Sequence, residues 1–472
     1  MASTNLRMPI DRASVRSAQV ALLTGLVFLT TAVASWLGPV ALRYEGWGAA
    51  ALAALIAFFL VARRVLRWFS RKELFSPLIA FPLTYAAWFA VGTLTLGEGQ
   101  EKVLYYSGVG LACYLAATLL TGWRSAVRPR LSIVRNEWDR SRFWLVMCGL
   151  GAVTLLSYAY IVSQIGIIAL DPEAAERRME LGNFGPMQAV LFTAAWTTLI
   201  FLAAHLWTQR ETKLVRGFAW LGLAVIALIL LSLGSRGYLF VPLLTAVIAR
   251  HYLRKKFHVL TLVIIGALVF MGLSFYGFTR DSTISSGTLS LKNGNAGEMA
   301  LFPLVYAYLY VSQPVETLQD VTRVIPRTIP YQNGQLTFDA LRTLLPGHHE
   351  MSDMFFKQIL DSDFVGGGQP ATLLGPLYGD FGPLGIMIGM FIVGIIIART
   401  YAWMVSKPTV FRVVMYAWAM QTVLFSLFGA LIPYITTLWL PLFWWFLDAV
   451  FLHKWSFAPR TQTLTPPAAL RP

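Results

Sequence analysis

The sequence predicts an all-α integral membrane protein: a polytopic bundle of about 12 transmembrane helices with one large external loop. Three observations predict it. Of the 472 residues, 57% are hydrophobic and 13% charged, with a mean hydropathy of +0.61, more apolar surface than one soluble core of this length buries. Apolar windows of about 20 residues, the length that crosses roughly 30 Å of hydrocarbon, recur along almost the whole chain. Lysine and arginine are absent from those windows and gather between them in alternately dense and sparse clusters.

The first span, 18–40, is longer than a signal-peptide core and lacks a convincing small-residue cleavage site, so it reads as a retained helix. Spans at 46–62, 74–96, 103–122, 143–170 and 188–207 follow. Residues 218–249 are mostly apolar but interrupted by Gly234-Ser235-Arg236-Gly237; as one straight helix they would be about 50 Å long, too long for a bilayer. The chain therefore crosses twice, at 217–234 and 237–249. The second arm is short, and it needs Arg250 to snorkel so that Tyr252 and Leu253 can extend it. Span 258–279 precedes the long loop, and 373–398, 413–432 and 434–452 complete the set. Residues 1–472 thus form one integral membrane domain, 280–372 its large external loop between spans nine and ten, and 453–472 a cytoplasmic tail.

Orientation follows from counting. Twenty-seven of the 38 basic residues fall in segments that this alternation places inside, from Arg7, Arg12 and Arg16 to Lys454, Arg460 and Arg471. The short external loops hold only Arg43, Lys102, Arg177, Arg178 and Arg236, and the long loop holds the remaining six. Both termini are then cytoplasmic. The net charge of +15 sits in short clusters beside spans, where it meets anionic headgroups of membrane lipid, and no nucleic acid is implied. Cys113 and Cys148 fall within spans, give neither a disulfide framework nor a metal spacing, and read as small core residues. No fixed-period repeat or inverted symmetry is visible.

Within the long loop, 281–297 is polar and rich in Gly, Ser and Asn. Met299 to Val311 is apolar and aromatic but only 13 residues long, so it is expected to lie in the interface or bury against the bundle. Thr337 to Leu345 reads as a short capped helix stopped by Pro346-Gly347, and a second short amphipathic segment lies around Met354 to Leu360.

Several groups here are candidates for chemistry. His348, adjacent to His349 and Glu350, suits an acid–base or hydrogen-bonding role, whereas adjacent histidines diverge and no third metal ligand is spaced for them. Asp361-Ser362-Asp363 has the D-x-D form of metal-dependent glycosyltransferases, a pattern that polar loops also produce by chance. Arg280, Arg323, Arg327 and Arg342, with Arg177 and Arg178 in the other sizeable external loop, could form a cationic patch for a diphosphate on a face whose net charge is negative. Arg236, beside the backbone N–H groups of a helix start, reads either as a snorkelling interfacial residue or as an anion site.

At the return to the membrane the chain reads Tyr378-Gly379-Asp380-Phe381-Gly382-Pro383-Leu384-Gly385, followed by the glycine-spaced Gly389 and Gly394. This resembles the Y-x-D-F-G-x-x-G signature of bacterial oligosaccharide repeat-unit polymerases, the Wzy-type O-antigen and exopolysaccharide polymerases. Gly234-Ser235-Arg236 resembles the G-S-R element that those proteins carry several spans earlier. Span number and the place of the large loop also look like that family; about a dozen residues match in motif, which identifies a class and not a sugar.

The resemblance implies a membrane-embedded glycosyltransferase of the lipid-dependent (GT-C) type in the bacterial plasma (inner) membrane. Its substrate would be undecaprenyl-diphosphate-linked oligosaccharide, its pathway partners a flippase and a chain-length regulator, and no cofactor is called for. Such an enzyme transfers the growing glycan from its lipid diphosphate onto a newly flipped unit. The glycosyl diphosphate is already activated, so the protein has mainly to stabilise the leaving diphosphate and position an acceptor hydroxyl. Arg236, then Arg280 and Arg327, are the expected diphosphate ligands. Asp380 or His348 is expected to deprotonate or orient the acceptor, with helix capping the other reading of Asp380. The rivals are an O-antigen ligase, a metal-dependent polyprenyl-phosphate sugar transferase, whose first external loop would here offer only Glu45, and a lipid-linked oligosaccharide flippase or transporter. Transporters bury ionisable groups within spans; here only His205, His258, Asp380 and Asp448 fall there, all towards an end.

Overall fold

The computed structural model describes residues 74–94, 96, 100–127, 134, 137–168, 180–254, 257, 261, 266, 296–342, 351–360, 368–429 and 435–452. Among them there are helices and connections and no strand. The helices are α1 (Ala80–Gly92), α2 (Gln100–Val127), α3 (Arg140–Ile165), α4 (Gly185–Thr208), α5 (Lys213–Ser232), α6 (Arg236–Leu253), α7 (Ala296–Val324), α8 (Asp339–Arg342), α9 (Ser352–Ile359), α10 (Leu374–Ser406), α11 (Val410–Phe425) and α12 (Ile435–Phe446). A π-helical turn, Leu447–Leu452, extends the last.

Five of these, α2 to α5 and α10, are long and apolar enough to cross a membrane, and α1, α6, α11 and α12 are shorter apolar helices. Leu120, Leu145 and Leu156 are each more than 70% exposed on such helices. A water-soluble surface seldom presents contiguous apolar faces of that kind, whereas hydrocarbon solvates them. The chain is a multi-pass helical membrane protein. Nine expected spans coincide with described helices; those at 18–40 and 46–62, and all of 258–279 but residues 261 and 266, lie outside the described residues. Cys148 corrects one expectation: it is exposed on α3 beside outward-facing leucines, because in a bilayer a small apolar side chain has no need of the core.

Ring contacts and hydrogen bonds fix the helix directions. Tyr85 on α1 donates to the Ser107 carbonyl on α2, and Tyr114 to the carbonyl of Pro77, so these two run antiparallel. Tyr106 meets Tyr378, while Gly394 is so close to α2 that a Cβ there would lie 2.6 Å from the Tyr114 carbonyl, so α2 and α10 run parallel. Small residues at such crossings let backbones approach where lipid supplies no hydrophobic drive. Phe143 stacks on His205 at one end of α3 and α4, and Tyr160 meets Phe184 at the other. Phe425 lies against Phe240, and Tyr416 against Tyr252, which sets α6 and α11 antiparallel.

All these directions satisfy strict alternation of spans and divide the bundle into two ends. The basic end carries Arg140, Arg210, Arg216, Arg254 and Arg412; the loop end carries the α5–α6 turn, α7, α8, α9 and the start of α10. Two cores lie side by side. One joins α1, α2, α7 and α10, the other α3, α4, α5 and α12, and both draw residues from α6 and α11. Helix α4 is enclosed almost throughout, and Trp444 of α12 donates to Thr197 at its centre, 2.7 Å away.

The expected hairpin is present. α5 ends at Ser232, Gly234 adopts φ +75°, and α6 starts at Arg236 and continues through Tyr252 to Leu253, with the Arg250 guanidinium over the Phe257 ring. The apolar stretch after 299 is longer than expected: α7 runs to Val324, because Val315, Leu318 and Val321 repeat at helical spacing and bury in the first core against α1.

Candidate functional site

The signature around Tyr378 to Gly385 is a broken helix. α10 begins behind Thr372, whose hydroxyl accepts from the N–H of Leu374, runs one half to Phe381, and then breaks at Gly382, with φ +63° and ψ −148°, a conformation reserved for glycine. Pro383 resumes the helix, where its missing N–H costs nothing. Gly385 lets the two halves close on each other, for a Cβ there would sit 2.0 Å from the Leu377 carbonyl.

A break leaves carbonyls without intrahelical donors. Those of Gly379 and Asp380 are met by the N–H groups of Gln332 and Asn333, at 3.0 and 3.2 Å. The Asp380 side chain returns the favour: it is fully buried, and its two oxygens accept from the N–H groups of Leu336 (3.1 Å) and Thr337 (2.6 Å). The loop from Ile325 to Phe338 is thus pinned across the break by four bonds. Between the pairs the chain turns at Asn333-Gly334, both at positive φ. Tyr331 lies directly over Gly382, where any Cβ would meet its hydroxyl at 2.6 Å, and Leu336 covers Gly379 in the same way.

Around this clasp stands a group of tyrosines. The Tyr378 ring lies against those of Tyr106 and Tyr331, with centroids 5.1 and 6.3 Å away, and its hydroxyl reaches the Ile325 carbonyl at 3.4 Å. Arg327, on the turn after Ile325, is exposed and makes no side-chain hydrogen bond among the described residues, whereas Arg323 pairs with Asp320 and Arg342 donates to the Gln335 carbonyl. Helix α9 supports the first half of α10 from the side, with buried Phe356 against Gly375 and Gly379. Its Asp353 leads on to the α11 end, near Gly429 and Pro370. Phe425 then links that end to Gly237, next to Arg236.

Of the expected site residues, Asp380 is central to the clasp, Arg327 stands beside it, and Arg236 opens α6 at the same end of the bundle, where the N-cap Ser235 makes no side-chain capping bond. The side chain of Arg236 and all of Arg280 and His348 lie outside the described residues. So do His349, Glu350, Asp361, Asp363, Arg177 and Arg178. Among the described residues no three His, Cys, Asp or Glu converge as metal ligands. Of the capped helix expected over 337–345, α8 falls within the described residues and 343–345 lie outside them; Thr337 uses its N–H on Asp380, and Phe338 and Leu341 are half exposed.

Sequence reasoning missed the partners of the signature. Asn333-Gly334 was the available signal, since that dipeptide marks a tight reversal with two positive φ angles. It missed also the buried contact at the basic end, where Glu211 accepts from Arg140 and lies 2.9 Å from Nε2 of His205. In comparisons with family models, curated proteins and solved structures, nothing matches this chain.

Proposed function

We propose that this protein is a lipid-dependent glycosyltransferase that polymerises undecaprenyl-diphosphate-linked repeat units into a surface polysaccharide at the outer face of the bacterial plasma membrane. It would have about twelve spans in a GT-C-like arrangement, both termini in the cytoplasm and the loop end outside. The observation that carries the reading is the clasped break in α10. The residues that resemble the polymerase signature build an irregular backbone at the loop end, roofed by the long loop, on the side where positive charge is sparse. Irregular backbone at membrane depth is tolerated where it lines a site.

Apolar side chains lead to it from the bilayer. Phe338, Phe381 and Leu384 are exposed beside the break, and Met387 and Ile388 continue the strip down α10. A polyprenyl tail could lie along that strip with its diphosphate towards Arg327, Arg236 and Arg280. Guanidiniums at the leaving diphosphate stabilise the charge that develops there, and an already activated donor makes a metal ion dispensable. His348 takes the acceptor proton. Asp380 acts by positioning: with both oxygens held by backbone N–H groups and no exposure, it keeps the loop over the break instead of meeting an acceptor.

The test uses purified protein and lipid-linked repeat units. Lengthening should proceed in excess EDTA and survive Asp361→Asn and Asp363→Asn. Arg236→Lys should remove most of it, because an ammonium cannot reproduce the planar two-pronged contact, while Arg43→Lys should leave it near normal. Dependence on Mn²⁺ and the two aspartates would replace this mechanism with the metal-dependent one; transfer of units across the bilayer without lengthening would favour the flippase.

A further inference from the structure

A second feature lies at the opposite end of the bundle. The α4–α5 connection and the end of α6 line an open cavity of about 400 Å³, within the range that holds a small ligand. Arg210, Arg216 and Arg254 line it, together with Trp207 and Trp220. No described residue forms a side-chain hydrogen bond or ion pair with any of the three guanidiniums. The acid nearest in sequence, Glu211, is turned away: its side chain is 1% exposed and is engaged by His205 and Arg140. The three are exposed, and among the described residues no carboxylate neutralises them, so together they attract an anion.

The walls say what kind of anion. Trp220 is half exposed one turn along α5 from Arg216, and α5 turns Leu214, Phe218, Leu221, Val225 and Leu228 outward as a stripe. The cavity thus opens where an apolar helix face meets a cationic mouth rimmed by tryptophan, the depth at which a bilayer changes from acyl chain to headgroup. A free phosphate would leave the stripe unused, whereas a lipid uses both. We propose that this cavity binds the phosphate of one anionic phospholipid, with its acyl chains along α5. The site holds the α4–α5 turn against the end of α6. This does not depend on the polymerase reading and would stand if that failed.

Full-length protein in neutral detergent is mixed with equal amounts of phosphatidylglycerol and phosphatidylcholine, and the lipid retained is counted by native mass spectrometry. Wild type should keep one phosphatidylglycerol in preference to phosphatidylcholine, a result read without any variant. The pair Arg216→Gln and Arg254→Gln should lower that retention about tenfold. Arg142→Gln, an exposed arginine at the same end but outside the cavity, should leave it unchanged. Equal retention of the two lipids by wild type, or equal loss from Arg142→Gln, would overturn the proposal. Inorganic phosphate that raises thermal stability as much as phosphatidylglycerol would overturn the lipid assignment in favour of a soluble anion.

Discussion

Asp380 at the loop end and Glu211 at the basic end are both buried carboxylates that hold a turn, but their partners differ in kind. Asp380 is satisfied by backbone N–H groups of a loop some forty residues earlier, whereas Glu211 is satisfied by two side chains, those of Arg140 and His205. A clasp of the first kind fixes the path of a chain and is nearly indifferent to which residues it holds. One of the second kind joins helix ends through particular side chains and answers to pH.

The largest effect expected from this contrast is that of Asp380→Ala. It strands the buried N–H of Leu336 and the part-buried N–H of Thr337, a buried one being worth about 1–3 kcal/mol, and should release 325–338 from the break. Limited proteolysis should cut there first, and the proposed polymer formation should fall to background. A variant with a native cleavage pattern would mean that Tyr331 and Leu336 alone hold the loop.

Next comes Thr337. Thr337→Pro removes the donor to Asp380 and should cost about 1–3 kcal/mol, while Thr337→Ala, which keeps the N–H, should be nearly silent in both thermal stability and activity. Equal damage from the two would make the Thr337 side chain, and not its backbone, the partner that matters.

The smallest effect belongs to the basic end. Burial works to raise the Glu211 carboxyl, yet the hydrogen bonds from His205 and Arg140 prevail and hold it below its ordinary value of 4.5. A carboxylate with a lowered folded value stabilises fully above its unfolded value and loses that contribution as pH falls through the lowered one. Thermal stability in detergent should therefore drop as pH is taken below about 4.5. Glu211→Gln should lower stability at pH 7 by about 1 kcal/mol and flatten that acid limb. An unchanged limb would assign it to other carboxylates.

The same contrast accounts for what the sequence revealed. Spans, the reversal at Gly234 and the extension of α6 to Leu253 were legible because hydropathy, glycine and basic flanks are local signals. The short helix α9 was legible for the same reason. The length of α7 was partly hidden, since Ser312, Gln313 and Glu316 interrupt the apolar run although Val315, Leu318 and Val321 keep the helical spacing. The clasp was not legible. An aspartate that bonds to main-chain N–H groups leaves no trace in the residues it holds, so Asp380 looked equally like a base or a helix cap. Arg327 was legible as a cation, but its place two residues after the Ile325 carbonyl that meets Tyr378 depends on how the loop folds back over α10.

Gly382 also bears on how the protein is made. The chain emerges from its N-terminus, so 325–338 is complete before any of α10 exists. During that interval the N–H groups of Gln332, Asn333, Leu336 and Thr337 have none of their final acceptors, and water at the membrane surface must serve instead. The first half of α10 in turn enters with bare carbonyls at Gly379 and Asp380. Neither segment can settle at depth alone, so insertion of α10 and docking of the loop form one event, and the site cannot be assembled before α10 is made, however early the rest of the loop is complete.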